Sequence, residues 1–212
     1  EDKAFGTWTY PDKRLEFDDT QYKELIEYSK KHDVDFTISP WENDSVDFIH
    51  KNNLKVLKLA SIDTINYQFC KYISEKKIPT ISSIGMANFD QIIKTYEIFK
   101  NADCPIMFMH CTSAYPCPIE DKNLNVINIL KQMFSTDIGF SGHAIGIEGT
   151  LGAVALGARV IEKHVTLSRK MSGPDQAASL EFSELTKLIN YSNNMVKAMG
   201  SQFKKLENSE IA

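Results

Sequence analysis

The stretch from Asp137 to Asp175, DIGFSGHAIGIEGTLGAVALGARVIEKHVTLSRKMSGPD, decides the fold. An apolar run from Ile138 to Ser141 ends at Ser141-Gly142-His143. A small-residue segment from Ile147 to Leu156 follows, and a second apolar run, Arg159 to Lys163, ends at Glu162-Lys163-His164. Read as strand, helix and strand, this places two histidines just past two short buried strands, 164 − 143 = 21 positions apart. That spacing is about one βα repeat, so in a parallel sheet both side chains arrive at the same edge, where α/β proteins keep their chemistry.

The alternation continues on both sides. Asp18-Asp19-Thr20 precedes a helix over Gln21 to Lys31 with apolar residues at helical spacing, and Pro40 ends a strand over Asp35 to Ser39. Helices are predicted at Asn43 to Lys51, Asn66 to Glu75, Asn88 to Lys100 and Asn123 to Phe134, and strands at Lys55 to Ala60, Pro79 to Ser83 and Pro105 to Cys111. A last helix runs from Ser183, its expected cap, to Met199. Short apolar strands alternating with helices imply parallel βαβ units. The glycine-rich phosphate turns of open doubly wound sheets, GxGxxG and GxxxxGK[ST], do not occur. The expected class is therefore α/β, a (β/α)8 TIM barrel with six of its eight strands in this chain. Residues 1–17 read as an irregular loop, 18–200 as the partial barrel and 201–212 as the start of a linker.

The 212 residues carry a net charge of −4, with 42% hydrophobic and 25% charged residues, an ordinary globular composition. The acidic balance argues against nucleic acid as a partner while leaving room for a local pocket that binds a small anion. No segment approaches the ~20 apolar residues of a membrane helix, so no membrane association is expected. Cys70, Cys104, Cys111 and Cys117 lack CxxC pairing, which suits reduced thiols and a cytoplasmic location.

Residues just past barrel strands line the active-site mouth. They are Ser39, Ser61 with Asp63, Ser82-Ser83, Thr112-Ser113 with Tyr115, Ser141-Gly142-His143, and His164 with Thr166. Hydroxyls or imidazoles at every strand end suggest a polar pocket. Lys58 lies inside the apolar run Val56-Leu57-Lys58-Leu59-Ala60, where an amine is costly unless it meets an anion or snorkels to a rim. Beside the serines it reads as a phosphate or carboxylate site. Lys163 alternates out of phase with His164 and is expected to face the helices. His143 and His164 are either two satisfied core histidines or, as a pair beside a hydroxyl pocket, ligands of one divalent metal. His110, inside a strand, reads as structural. Asp175, after the turn Gly173-Pro174, is a carboxylate on a loop over the mouth, suited to a sugar hydroxyl or to acid–base work, or else an ordinary turn residue.

Five runs carry a resemblance: His110-Cys111-Thr112-Ser113-Ala114-Tyr115-Pro116, Phe140 to His143, Ala153 to Ala158, Val160 to His164, and Gly173 to Glu181. In this order they resemble the sialic acid synthase family, over about Leu15 to Leu206. Members of that family condense phosphoenolpyruvate with N-acetylmannosamine, its 6-phosphate or a related amino sugar. The resemblance implies that His143 and His164 hold Mn2+ or Mg2+, and that Ser39, Lys58, Ser61, Ser83, Ser113 and Ser141 line the phosphoenolpyruvate pocket. Tyr115 and Asp175 are implied to contact the amino sugar, with Asp63 where the family has Glu and with Asp63 and Asp175 as the catalytic carboxylates. It further implies attack by C3 of phosphoenolpyruvate on the sugar aldehyde, water addition at C2, and loss of phosphate by C–O cleavage.

The chain also departs from the family's pattern. Ser83-Ile84-Gly85-Met86 replaces a hydroxyl by an aliphatic group, Gly142 stands where bacterial relatives often have Asp, and Asp63 is one methylene short. The family's first two strands and its small antifreeze-like C-terminal domain have no counterpart here, so the whole protein is expected to be longer, and a homodimer. The alternatives are another metal-dependent barrel enzyme, an aldolase or sugar-phosphate isomerase, or an inactive fragment of a synthase.

Overall fold

The structure is a computed structural model and describes residues 17–211. All of the expected opening loop except Phe17 lies outside the described residues. The chain divides into two units, Glu1–Ile38 and Ser39–Ala212. In the first, α1 (Asp19–Lys31) starts from a capping box in which Asp18 accepts from the Thr20 and Gln21 amides and Gln21 reaches back to the Asp18 amide.

The second unit is a run of βα repeats: α2 (Asn43–Lys51), β1 (Leu57–Leu59), α3 (Tyr67–Glu75), β2 (Thr80–Ser83), α4 (Phe89–Asn101), β3 (Ile106–His110), α5 (Val126–Met133), β4 (Ile138–Ser141), α6 (Glu148–Ala155), β5 (Ile161–Glu162) and α7 (Phe182–Met199). The five strands form one parallel sheet in the order β1-β2-β3-β4-β5. Sequential order is what a barrel wall requires, whereas a doubly wound sheet reverses at a switch point.

Among the described residues five strands form where the sequence suggested six. Asp35 to Ser39 is not a strand: Asp33 turns the backbone at φ 54 and Pro40 has no amide hydrogen, which leaves little length for a ladder. α7 is capped by Glu181 rather than Ser183. The Glu181 backbone is extended, and its carboxylate and that of Glu184 form a reciprocal box. α5 starts three residues later than expected because a 3-10 turn, Glu120–Lys122, and a left-handed Asn123 (φ 43) come first.

Strand alternation sorts the sheet into two faces. Leu57, Leu59, Phe108 and Ile138 are fully or almost fully buried on the helix-facing side, as are the helix residues Ile73, Phe99 and Leu130. The register pairs Lys58 with Ile81, Ser83 with Met109, Met109 with Gly139, and Ser141 with Glu162, so these residues share the opposite face. Gly139 makes room on that face: a Cβ there would stand 3.0 Å from the Met109 side chain and 2.8 Å from the Val160 carbonyl.

Candidate active site

Two groups of side chains meet at the C-terminal edge of this sheet. At the ends of β1 to β3, Lys58 Nζ donates to Ser83 Oγ at 2.8 Å and to the Leu59 carbonyl at 3.2 Å. Its side chain is only 13% exposed, so it turns into the mouth and does not snorkel to a rim. The Gly85 amide donates to both Ser61 Oγ and Cys111 Sγ at 3.1 Å, and these two stand 3.3 Å from each other. A Cβ on Gly85 would collide with Ser113 Oγ, so the missing side chain is what lets three strand ends converge.

At the ends of β4 and β5, His143, His164 and Tyr115 form a triangle of rings. Centroid separations are 4.3 Å from Tyr115 to His143, 5.7 Å from Tyr115 to His164 and 5.6 Å between the imidazoles. Asp175 Oδ2 lies 3.7 Å from His164 Nδ1, close enough to orient the ring's field without a direct hydrogen bond. Burial, with the nearby Asp175 and Glu162 carboxylates adding to it, pushes the Tyr115 phenol up to about 12, so it stays a donor at neutral pH.

The groups are joined through Glu162. Its Oε2 lies 3.4 Å from Lys58 Nζ, its Oε1 accepts from Ser141 Oγ at 2.7 Å, and Ser141 Oγ stands 3.2 Å from His143 Nε2. His143 Nδ1 donates to the Thr112 carbonyl at 2.9 Å; a carbonyl only accepts, so the proton is on Nδ1 and Nε2 carries the lone pair. Burial holds this imidazole below its ordinary range and favours that neutral form. The Ser141 proton goes to the nearer carboxylate, which leaves Nε2 free to bind a cation. Outer hydrogen bonds that fix a tautomer in this way are a regular accompaniment of metal-binding histidines.

The histidine spacing fits one ion. An imidazole centre stands roughly 3.3 Å from a metal bound through nitrogen at about 2.1 Å, so two rings on one ion are at most roughly 6.6 Å apart; the observed 5.6 Å lies inside that limit. Among the described residues no cluster of three or more His, Cys, Asp and Glu gathers as a metal cage.

Of the expected residues, Lys58, Ser61, Ser83, Ser113, Tyr115, Ser141, His143, His164 and Asp175 are therefore brought to one edge. Ser39 is half-buried and enters none of these bonds. Asp63 is in a 3-10 turn, Ser61–Asp63, beside Asn66; its Oδ2 is buried without a partner and burial raises its pKa. Ser82 faces the other side and bonds Thr64. His110 is also on the helix side, with Nε2 donating to the Lys122 carbonyl at 2.7 Å, in agreement with its structural reading. Lys163 turns away from the mouth to the Ala144 carbonyl, 2.7 Å away, and burial with the nearby Lys122 charge lowers it to about 8. Glu162 is the residue that sequence reasoning missed. Its signal was the parity it shares with His164, two positions on.

This arrangement sits in a chain whose relatives are recognisable. A sequence model of the NeuB family matches residues 7–204. The chain belongs to the NeuB family. It is 39% identical over 201 residues to an N-acetylneuraminate-9-phosphate synthase of Mus musculus, covering 94% of this chain and 56% of that protein. It is 41% identical over 200 residues to an N,N'-diacetyllegionaminic acid synthase of Campylobacter jejuni, covering 93% and 60%. The chain thus spans little more than half the length of these relatives. Among solved structures, a sialic acid synthetase of Leptospira borgpetersenii serovar Hardjo-bovis matches with a TM-score of 0.90 at 33% identity over 94% of this chain and 70% of that one. A truncated 3-deoxy-D-arabino-heptulosonate 7-phosphate synthase of Thermotoga maritima, at 15% identity, shares the fold with a TM-score of 0.77 over 89% of this chain and 76% of that one. The five parallel strands are the wall of an α/β half-barrel, as the sequence pattern implied.

Proposed function

We propose that this chain carries the catalytic edge of a synthase that condenses phosphoenolpyruvate with N-acetylmannosamine or a related amino sugar, giving a nonulosonic acid and phosphate. The observation that carries the reading is the continuous chain from Lys58 through Glu162 and Ser141 to His143, which puts a cationic hydroxyl pocket next to a pair of cation-ready imidazoles. Relatives named as neuraminate and legionaminate synthases support it.

Lys58, Ser83 and the Ser61–Ser113 cradle hold the phosphate and carboxylate of phosphoenolpyruvate by charge-assisted hydrogen bonds. Lys58 then exchanges Glu162 for the ligand's oxygens, and Glu162 becomes an acceptor beside Ser141. His143 and His164 would hold a divalent ion, Mn2+ or Mg2+, whose Lewis acidity acts on the acceptor's carbonyl oxygen when it is bound. Tyr115 donates to a sugar oxygen, and Asp175 accepts from a sugar hydroxyl and keeps it facing His164. C3 of phosphoenolpyruvate forms the new bond to the aldehyde carbon, water adds at C2, and the C2–O bond breaks to release phosphate. A homodimer acting on these small molecules in the cytoplasm is the setting we propose. No helix of the described residues is long and apolar enough to cross a membrane.

Phosphate release is the test: it should require phosphoenolpyruvate and an amino sugar together. An aldolase or isomerase would turn over a sugar phosphate with no phosphoenolpyruvate present, and that result would sink the proposal.

A further inference from the structure

Behind the anion half of the mouth, three hydroxyl residues are fully buried: Thr64, Ser82 and Thr95 each have 0% exposure. Polar side chains at that depth are stable when their hydrogen bonds are made, and these three make them around Thr64. Thr64 Oγ1 lies 2.6 Å from the Ser83 carbonyl and 2.8 Å from Ser82 Oγ. A carbonyl only accepts, so the single Thr64 proton goes to Ser83, and Ser82 donates to Thr64. The Ala60 carbonyl, at 3.4 Å, is the weaker competitor for that proton. The Thr64 carbonyl in turn accepts from the Thr95 hydroxyl on α4 and, at 3.6 Å, from the Cys70 thiol on α3.

The place of these bonds gives them their role. The β1–β2 register ends at the Leu59–Ser82 pair, so the Ser83 carbonyl lies one residue beyond it and the Thr64 hydroxyl takes the part of a strand amide. On the other face of the sheet the same Ser83 meets Lys58 Nζ through its Oγ. Ser61 is three residues before Thr64, whose amide bonds the Ser61 carbonyl at 3.3 Å, and the Gly85 amide that bonds Ser61 Oγ is two residues after Ser83. We propose that Thr64 is a positioning residue for phosphoenolpyruvate. From behind the sheet it ties the turn that carries Ser61 to the strand end that carries Ser83 and Gly85, and so sets the spacing of the hydroxyls and Lys58 around the anion. It touches no substrate itself. Donors in such a site have to stay within about 0.5 Å of their productive positions, which is what a buried second layer secures. The inference rests on the synthase reading and adds to its anion half a residue outside the mouth.

The test is phosphoenolpyruvate binding, by calorimetry, to the unaltered chain and to Thr64→Val, which keeps the side-chain shape and deletes the hydroxyl. The Kd should rise about tenfold, the worth of one hydrogen bond, with Mn2+ affinity kept within about twofold. Thr64→Ser, which restores the hydroxyl, should recover most of the loss. Ser82→Ala is the structural control: it removes a buried hydroxyl from the same cluster but leaves the bond from Thr64 to Ser83, so it should lower the urea midpoint while the Kd stays within about twofold. If Thr64→Val fails to fold, Thr95→Val decides the matter, because it frees the Thr64 carbonyl from α4 and should raise the Kd about threefold. Unchanged phosphoenolpyruvate affinity in the folded threonine variant, a matching fall in Mn2+ affinity, or an equal loss in Ser82→Ala overturns the positioning role and leaves the synthase standing. No binding of phosphoenolpyruvate by the unaltered chain overturns the synthase reading, and the positioning role with it.

Discussion

At the ends of β1 to β3 the polar groups are already tied together: Lys58 to Ser83, and Gly85 to Ser61 and Cys111, with Ser113 against the same glycine. Beside the ends of β4 and β5, His143, His164, Tyr115 and Asp175 stand in ring contact or just beyond hydrogen-bond reach, and the His143 Nε2 lone pair faces Ser141 Oγ, whose proton goes to Glu162. On the proposed reading the first half is a finished cradle in which Glu162 stands in for the anion of the substrate. On the same reading the second, with the His143 lone pair, the Asp175 carboxylate and the Tyr115 phenol as donor, would gain its strength from a cation. Preorganisation thus differs across one sheet edge: a closed set of hydrogen bonds supplies it on one side, and the Thr112 carbonyl that fixes the His143 tautomer supplies it on the other.

The sharpest way to break that contrast is His143→Ala. It removes one of two imidazoles, a buried ring packed 4.3 Å from Tyr115, so divalent-ion affinity measured by calorimetry on the folded variant should fall at least about 100-fold, with phosphate release falling alongside. Phosphoenolpyruvate binding should change much less. Unchanged metal affinity would show that the imidazoles are not the cation's ligands and that the two halves do not differ in kind.

Lys58→Met is the converse. It deletes the one ammonium of the cradle and should weaken phosphoenolpyruvate binding about 10- to 100-fold while metal affinity is kept. Equal losses for the sugar and for phosphoenolpyruvate would remove the anion role. A smaller effect on the same half is expected from Gly85→Ala. The new methyl collides with Ser113 Oγ and lies 3.0–3.1 Å from Cys111 Sγ and Ser61 Oγ, so the cradle has to open. About a tenfold loss in phosphoenolpyruvate affinity and roughly 1–3 kcal/mol of stability should follow, with the histidine half untouched.

The contrast also explains which parts of the molecule were legible in the sequence. The βα rhythm was legible because apolar strands and capped helices are local patterns; Asn66 and Asn88 cap α3 and α4 where the sequence placed helix starts. The histidine pair was legible from its one-repeat spacing. The strand at Asp35 to Ser39 was not, because a ladder depends on a neighbour and on the turns that bracket the run. Glu162 was missed because a charged residue inside a two-residue strand looks like a rim residue until register pairs it with Ser141 and brings Lys58 across three strands.

The smallest effect concerns the back of the anion half. His110 lies on β3 one position before Cys111 but on the opposite face, 7% exposed, and burial lowers its pKa below the ordinary 6.5 despite the opposing bond to the Lys122 carbonyl. A depressed folded pKa means that the unfolded chain takes up the proton first. The stability tied to neutral His110 is therefore complete above about pH 6.5 and is lost as pH falls from there through the folded value, by at most about 1.4 kcal/mol per pH unit. His143 shifts in the same direction, so the protein as a whole should lose the share of both. His110→Gln keeps a donor for the Lys122 carbonyl and removes one titrating group. Urea midpoints at pH 7.5 and 5.5 should differ less in this variant than in the unaltered protein, with phosphoenolpyruvate affinity at pH 7.5 unchanged. A pH dependence identical to that of the unaltered protein would mean that His110 does not titrate on unfolding, and a fall in anion affinity would mean that the back of β3 helps to set the cradle on its front.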